Sequence, residues 1–231
     1  MRLDNLVSKA LSISRNDARK LIVKSKVLVN QKIERLKNRQ VDIDDQVFFA
    51  SQRLTLPANK YFMLNKPPGY ICSTVDESIP SAINLLEDQP RSGLHFAGRL
   101  DADTTGLVLI SNDGQWTHRI SAPSRKQAKT YIVELAEVIS PEQVLQLENG
   151  LILNDSEKKT LPCSVEVIND HAVKITLFEG RYHQVKRMFA AVGNHVKRLH
   201  RESIGELILD ADLPIGGWRN LTEQEVSLFD G

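Results

Sequence analysis

The 231-residue chain has only two cysteines, Cys72 and Cys163, far apart in sequence. So few thiols signal neither a disulfide scaffold nor a cysteine-based zinc site, and they read as free thiols in a reducing compartment. The six histidines are scattered and none pairs at i, i+4 with another, so the usual helical metal-ligand spacing is missing. No glycine-rich phosphate loop occurs, and the expectation is chemistry without metal or cofactor. No apolar run approaches the roughly 18 residues of a membrane span, and no secretory apolar segment follows Met1. A cytoplasmic protein without a membrane partner is therefore expected. Repeats and low-complexity segments are absent as well.

What remains is an ordinary globular composition, 41% hydrophobic and 26% charged, in a length that suits one medium domain plus a small one. The net charge of +1 conceals an asymmetry. Residues 1–40 carry eleven Lys/Arg against Asp4, Asp17 and Glu34, a net of +8, which leaves −7 for the other 191 residues. A basic module that meets a polyanion, joined to a domain with another task, follows from that split.

Leu3, Leu6, Val7, Ala10 and Leu11 recur at helical spacing. Ser14-Arg-Asn-Asp17 has the form of a capping box opening a second helix, with Ala18, Leu21 and Ile22 on its apolar face. Arg15, Arg19, Lys20, Lys24 and Lys26 crowd the rest, with Arg2 nearby. Val27–Ile33 reads as a hairpin in which Asn30 takes a left-handed position. This helix–helix–hairpin, with Arg-Leu-Asp near its start and Ser-Arg-x-x-Ala-Arg-Lys-Leu-Ile later, resembles the S4 RNA-binding domain. Its basic side chains would supply phosphate contacts, giving affinity and register rather than sequence choice. Gln52–Lys60 reads as a linker, with the domains placed at 1–57 and 58–231.

The second domain opens with strand Tyr61–Leu64 and the turn Asn65-Lys66-Pro67-Pro68-Gly69, where Lys66 either contacts RNA or decorates the turn. Residues 95–110 form the densest stretch of motif. Arg99 and Asp101 are two apart, so in an extended segment both side chains leave one face. A guanidinium beside a carboxylate keeps it ionised, which suits a nucleophile better than an acid, although a structural ion pair at a turn reads the same way. Gly98 and Gly106 supply freedom for close approach to a ligand, and Leu107–Ile110 is a buried strand.

Strands are further expected at Thr130–Ala136, with Tyr131, Val133 and Leu135 on one face, and at Leu151–Leu153, Cys163–Ile168 and Ala172–Phe178. Helices are expected from Pro141 to a stop at Gly150, around Val185–Val192, and after Thr222. The mixture implies an α+β class with a mainly antiparallel sheet. Residues 180–201 hold six Lys/Arg and three histidines without one acid.

Gly98-Arg-Leu-Asp101 with Asp103-Thr-Thr-Gly106-Leu resembles the active-site motif of the pseudouridine synthases. Asn65–Gly69, Lys129–Tyr131 and Gly180-Arg-Tyr-His-Gln-Val-Lys186 follow that family's motif order. The resemblance is to the S4-bearing branch that modifies ribosomal RNA, and it implies specific roles. Asp101 would be the catalytic carboxylate, acting as nucleophile or on the sugar C2′ proton, with Asp103 only a loop carboxylate. Tyr131 would stack on the detached uracil, Lys186 would support Asp101, and Arg99, Lys66 and His183 would contact RNA. The implied partner is small-subunit (16S) ribosomal RNA, free or in an assembly intermediate, and the protein is expected to be a monomer. A large-subunit RNA enzyme and a non-catalytic assembly factor are the alternatives.

Overall fold

A computed structural model describes residues 1–230 apart from Ser12, Ile43, Ser92, Asp155 and Ser156. The chain divides into two compact units, Met1–Asn59 and Lys60–Gly231, a break two residues beyond the expected boundary.

In the first unit α1 (Leu3–Leu11) and α2 (Arg15–Val23) pack through Leu3, Val7, Ala18 and Ile22, all fully buried. Ser14 caps α2 by accepting the Asp17 N–H at 3.1 Å. The reciprocal half of a capping box is absent: the Asp17 carboxylate instead accepts the Ser14 hydroxyl and the Lys20 ammonium, at 2.7 and 2.9 Å. Four short antiparallel strands follow, β1 (Val27–Val29), β2 (Lys32–Ile33), β3 (Val47–Phe49) and β4 (Gln52–Arg53), in spatial order β2-β1-β3-β4.

Both hairpins turn on consecutive left-handed residues, Asn30-Gln31 at φ 52° and 64° and Ala50-Ser51 at 47° and 63°, none of them glycine. Two successive positive φ values match the right-handed twist of the flanking strands. Asn30 offsets the strain by donating to Asp45 at 2.6 Å and accepting the Gln46 N–H at 2.8 Å. Gln52 and Arg53 are strand residues and Leu54 is buried in this unit's core, so the stretch read as a linker begins only after Leu54.

The second unit contains β5 (Tyr61–Lys66), β6 (His95–Phe96), β7 (Thr105–Ser111), α3 (Gly114–Ser121), β8 (Lys129–Leu135), α4 (Pro141–Glu148), β9 (Ser164–Asn169), β10 (Ala172–Leu177), α5 (Gln184–Ala191), β11 (Val196–Ile204), β12 (Leu207–Ile208), β13 (Trp218–Asn220) and α6 (Glu223–Ser227). Among the described residues its strands form one nine-stranded sheet, ordered β13-β5-β7-β11-β8-β10-β9, with β12 on β11 and β6 on β7. All pairings are antiparallel except β7 with β11. Leu151–Leu153, expected as a strand, makes only an isolated bridge from Ile152 to Lys159.

Period-two alternation explains why the central strands are apolar throughout. Phe62, Leu64, Val108 and Ile110 enter one core with Tyr131 and Val133, while Met63, Leu107 and Leu109 enter the other with Trp116 and Ile204. A strand covered on both faces needs apolar residues in both phases. Gly106 has a specific reason: at φ 102° a Cβ there would collide with the Arg201 backbone, where β7 and β11 run parallel. The close approach that requires this glycine is thus strand to strand, not backbone to ligand.

Candidate active site

Asp101 lies on the loop between β6 and β7, at the wall of a cavity of about 730 Å³ in the second unit. In the Arg99–Asp101 segment Leu100 is buried while Arg99 is exposed and Asp101 half-buried, as an alternating segment requires. Arg99 nevertheless forms no ion pair with Asp101. Arg99 is exposed and lines the cavity, and the basic side chains beside Asp101 come from a segment some 80 residues on. Lys186 Nζ is 3.3 Å from Asp101 Oδ2, and His183 Nε2 is 3.5 Å from Oδ1.

Two elements make that meeting possible. Val185, Met188 and Phe189 bury one side of α5, which turns Lys186 toward the loop. His183 precedes the helix at φ 48°, so the chain reverses into α5 and both basic side chains reach one carboxylate. Lys186 also donates to Asp103 at 2.6 Å, a shorter contact than the one to Asp101. Asp103 is therefore the residue that anchors the lysine. Burial acts to lower the Lys186 pKa, but the Asp103 hydrogen bond and the charges of both aspartates outweigh it and hold it above its ordinary value. For Asp103, burial acts upward, and the Lys186 hydrogen bond and charge bring its pKa below the ordinary value. A lysine held between two carboxylates remains an ammonium.

Lys66 corrects the expectation of an RNA contact. It is fully buried at the end of β5, and its ammonium donates to the carbonyls of Pro67, Ala102 and Thr104 at 2.9, 3.2 and 2.8 Å. Burial lowers its pKa, the aspartate charges only partly opposing that. A buried ammonium has to spend its three donors inside the protein, and here two of them, to Ala102 and Thr104, hold the loop that carries Asp101. Lys66 is a tether under the active loop and does not face solvent.

Tyr131 is on β8, 9% exposed, opposite Arg201 on β11, and it lines the cavity. Two cavity cations carried no role in the sequence reading. Lys129 also lines the cavity and donates to the Gln127 carbonyl at 2.9 Å, with burial and the nearby Arg201 charge lowering its pKa to about 8. Arg201 is 1% exposed and donates to the carbonyls of Leu107 and Arg99 at 2.8 and 3.3 Å. It braces the Asp101 loop from a second side. The sequence signal for Arg201 is a charge in the buried phase of an alternating strand, between Leu199 and Ser203.

The basic residues of the first unit divide in two. Arg2, Arg15 and Arg19 all converge on the fully buried carboxylate of Asp4, at 3.0, 3.0 and 2.9 Å. Burial would raise the Asp4 pKa, and the three guanidinium contacts overcome it to hold the carboxyl well below the usual carboxylate range. Each arginine stays partly exposed, so one acid orients three forks and leaves a local excess of positive charge. Lys20 pairs with Asp17, and Lys24 and Lys26 are exposed.

A carboxylate beside an ammonium and an imidazole, an aromatic lining the same cavity, and room for a nucleotide base together suit chemistry on an extruded nucleoside. Comparison with known proteins gives the same answer. Residues 60–191 match the family model described as RNA pseudouridylate synthase, and residues 1–47 match that of the S4 domain. The ribosomal small subunit pseudouridine synthase A of Vibrio parahaemolyticus is 44% identical over 228 residues, 98% of each chain. The protein of the same name from Escherichia coli is 45% identical over 98% of this chain and 99% of its own. A solved structure titled as the crystal structure of a pseudouridylate synthase superposes with a TM-score of 0.73 at 40% identity, covering 99% of both chains. The chain belongs to the RNA pseudouridylate synthase family, carries an S4 domain at its N-terminus, and is an isomerase that turns uridine of RNA into pseudouridine.

Proposed function

We propose that the substrate is a uridine of small-subunit (16S) ribosomal RNA and that Asp101 is the carboxylate that starts the reaction. The substrate assignment is supported by relatives named for the small subunit at 42–45% identity over 98% of the chain. The observation that carries the catalytic assignment is the Lys186–Asp101–His183 cluster in the cavity wall. In the isomerisation the N1–C1′ bond breaks, the base turns, and C1′ rejoins at C5. The C5 proton leaves and N1 gains one, so the composition of the RNA is unchanged.

Attack by the carboxylate and removal of the C2′ proton both need the Asp101 carboxylate oriented, and the contacts from Lys186 and His183 serve that need. Tyr131 offers the detached uracil a flat apolar surface and holds it in the cavity while it turns. Arg99, exposed at the rim, contacts RNA outside the cavity. The Asp4-centred arginines with Lys20, Lys24 and Lys26 contact phosphates, and the enzyme acts as a monomer on free RNA or an assembly intermediate.

Unmodified small-subunit and large-subunit ribosomal RNA, each incubated with the purified protein and mapped for pseudouridine, test the substrate. A single modified position in the small-subunit RNA is the expected result. Modification confined to the large-subunit RNA would reassign the substrate, and none in either would refute the proposal.

A further inference from the structure

Tyr182 is the most exposed large side chain of apolar character among the described residues, 75% accessible, and it sits on the rim of the catalytic cavity. Its ring stacks on the His183 imidazole, with centroids 3.8 Å apart and planes 19° from parallel. His183 in turn reaches Asp101 at 3.5 Å. An aromatic left in water at a rim would be unremarkable on a mobile loop, but this backbone is pinned. Arg181 donates to the carbonyls of Lys158 and Lys159 at 2.9 and 2.6 Å and pairs with Glu179 at 3.2 Å. The Arg181 N–H donates to buried Gln184, which donates to Glu179, both at 2.8 Å. Arg187 donates to the Tyr182 carbonyl itself at 3.1 Å.

The protein thus holds an aromatic face out into solvent, backed by a second ring that itself reaches the carboxylate. Taking a nucleotide out of an RNA stack leaves its neighbour with one bare face. Stacking on an aromatic is the sequence-tolerant way a protein covers such a face. Resting on the reading of this cavity as the uridine site, we propose that Tyr182, stacked on His183, is a docking platform for the unpaired base next to the target uridine. The order is His183, Tyr182, then base, continuing the stack that extrusion interrupts. A base seated there also presses Tyr182 onto His183, and through it steadies the imidazole contact to Asp101.

The test uses the full-length protein and a small-subunit RNA fragment containing the uridine that wild type modifies, with 2-aminopurine placed beside it. Wild type quenches the 2-aminopurine fluorescence on binding. Tyr182→Ala abolishes most of that quenching and weakens the RNA complex by roughly 5- to 150-fold, the range for loss of one base–aromatic stack. Tyr182→Phe, which keeps the ring and loses the hydroxyl, restores both. The side chain is exposed, so thermal midpoints of the variants stay at the wild-type value. Unchanged quenching and affinity in Tyr182→Ala would overturn the assignment, as would a Tyr182→Phe variant that behaves like Tyr182→Ala. Failure of wild type to form pseudouridine is a separate outcome, and it would overturn the functional reading instead.

Discussion

At the scale of single residues the site is organised by where cations can go. Lys186 spans Asp101 and Asp103, and Arg99, two residues from Asp101 in sequence, takes no part in that cluster. Lys186→Met would leave two carboxylates on one loop without their shared ammonium. We expect the single-turnover rate at saturating RNA to fall by on the order of 100-fold, the scale for losing one charge-stabilising donor in a site. Arg99→Met should weaken RNA binding while leaving the saturated rate within a few-fold. A Lys186→Met enzyme with a normal saturated rate and only a raised KM would show that the lysine binds RNA instead.

Lys129 supplies a pH signature at the same scale. With its pKa lowered to about 8, it is an ammonium below that value and an amine above it. RNA affinity at fixed salt should therefore fall as pH rises through about 8, and Lys129→Arg should flatten the dependence, because arginine keeps its charge. The sign for stability is opposite. Between about 8 and the ordinary lysine value the unfolded chain binds the proton more tightly, so this group's contribution to stability rises with pH there. Equal pH profiles for wild type and Lys129→Arg would remove Lys129 from the RNA-facing charge.

At the scale of elements, α1 and α2 are joined by polar as well as apolar contacts, since Asp4 on α1 gathers Arg15 and Arg19 from α2. Its depressed pKa makes a stability contribution that is present above the unfolded carboxylate pKa of about 3.9 and lost as pH falls through the lower folded value. Asp4→Asn removes a negative charge from beneath this arginine cluster, and counting charge alone predicts tighter RNA binding. The structure predicts the reverse: without the shared carboxylate the three guanidinium groups lose their common orientation. RNA affinity should drop several-fold at neutral pH, accompanied by a lower thermal midpoint. Tighter binding of folded Asp4→Asn would show that these arginines need no organiser.

The same scale shows what sequence patterns can carry. α1, α2, α4 and α6 could be located because their caps and apolar spacing are local, as with the Ser140–Gln143 and Thr222–Glu225 capping boxes. β11 was hidden: its run of basic residues reads as a surface, yet it is a central strand between β7 and β8. Lys66 was ambiguous because its burial is set by carbonyls 36 and 38 residues later, at Ala102 and Thr104. The Arg99–Asp101 spacing gave the right face for both side chains and the wrong partner for the carboxylate. The motif order pairs Asp101 with Lys186, and their side chains do meet at 3.3 Å although 85 residues separate them.

At the scale of the molecule, the +8 of residues 1–40 belongs to the first unit while the cavity belongs wholly to the second. Affinity and chemistry should therefore separate. Each unit has its own buried core, so the second should fold without residues 1–59. Removing them should weaken RNA binding and flatten its salt dependence by roughly 0.7–0.9 in log–log slope for each lost phosphate contact. A folded truncation with an unchanged slope would mean that the basic unit serves another partner.

The central claim is that Asp101 performs the chemistry, and its most direct test is one paired measurement. Wild type and Asp101→Asn are given the same unmodified small-subunit RNA, with complex formation and pseudouridine content read from the same samples. The amide keeps the shape of the carboxylate and loses its charge and nucleophilicity, so the account predicts a near-normal complex and no pseudouridine. Pseudouridine formed by Asp101→Asn at a rate near wild type would contradict it.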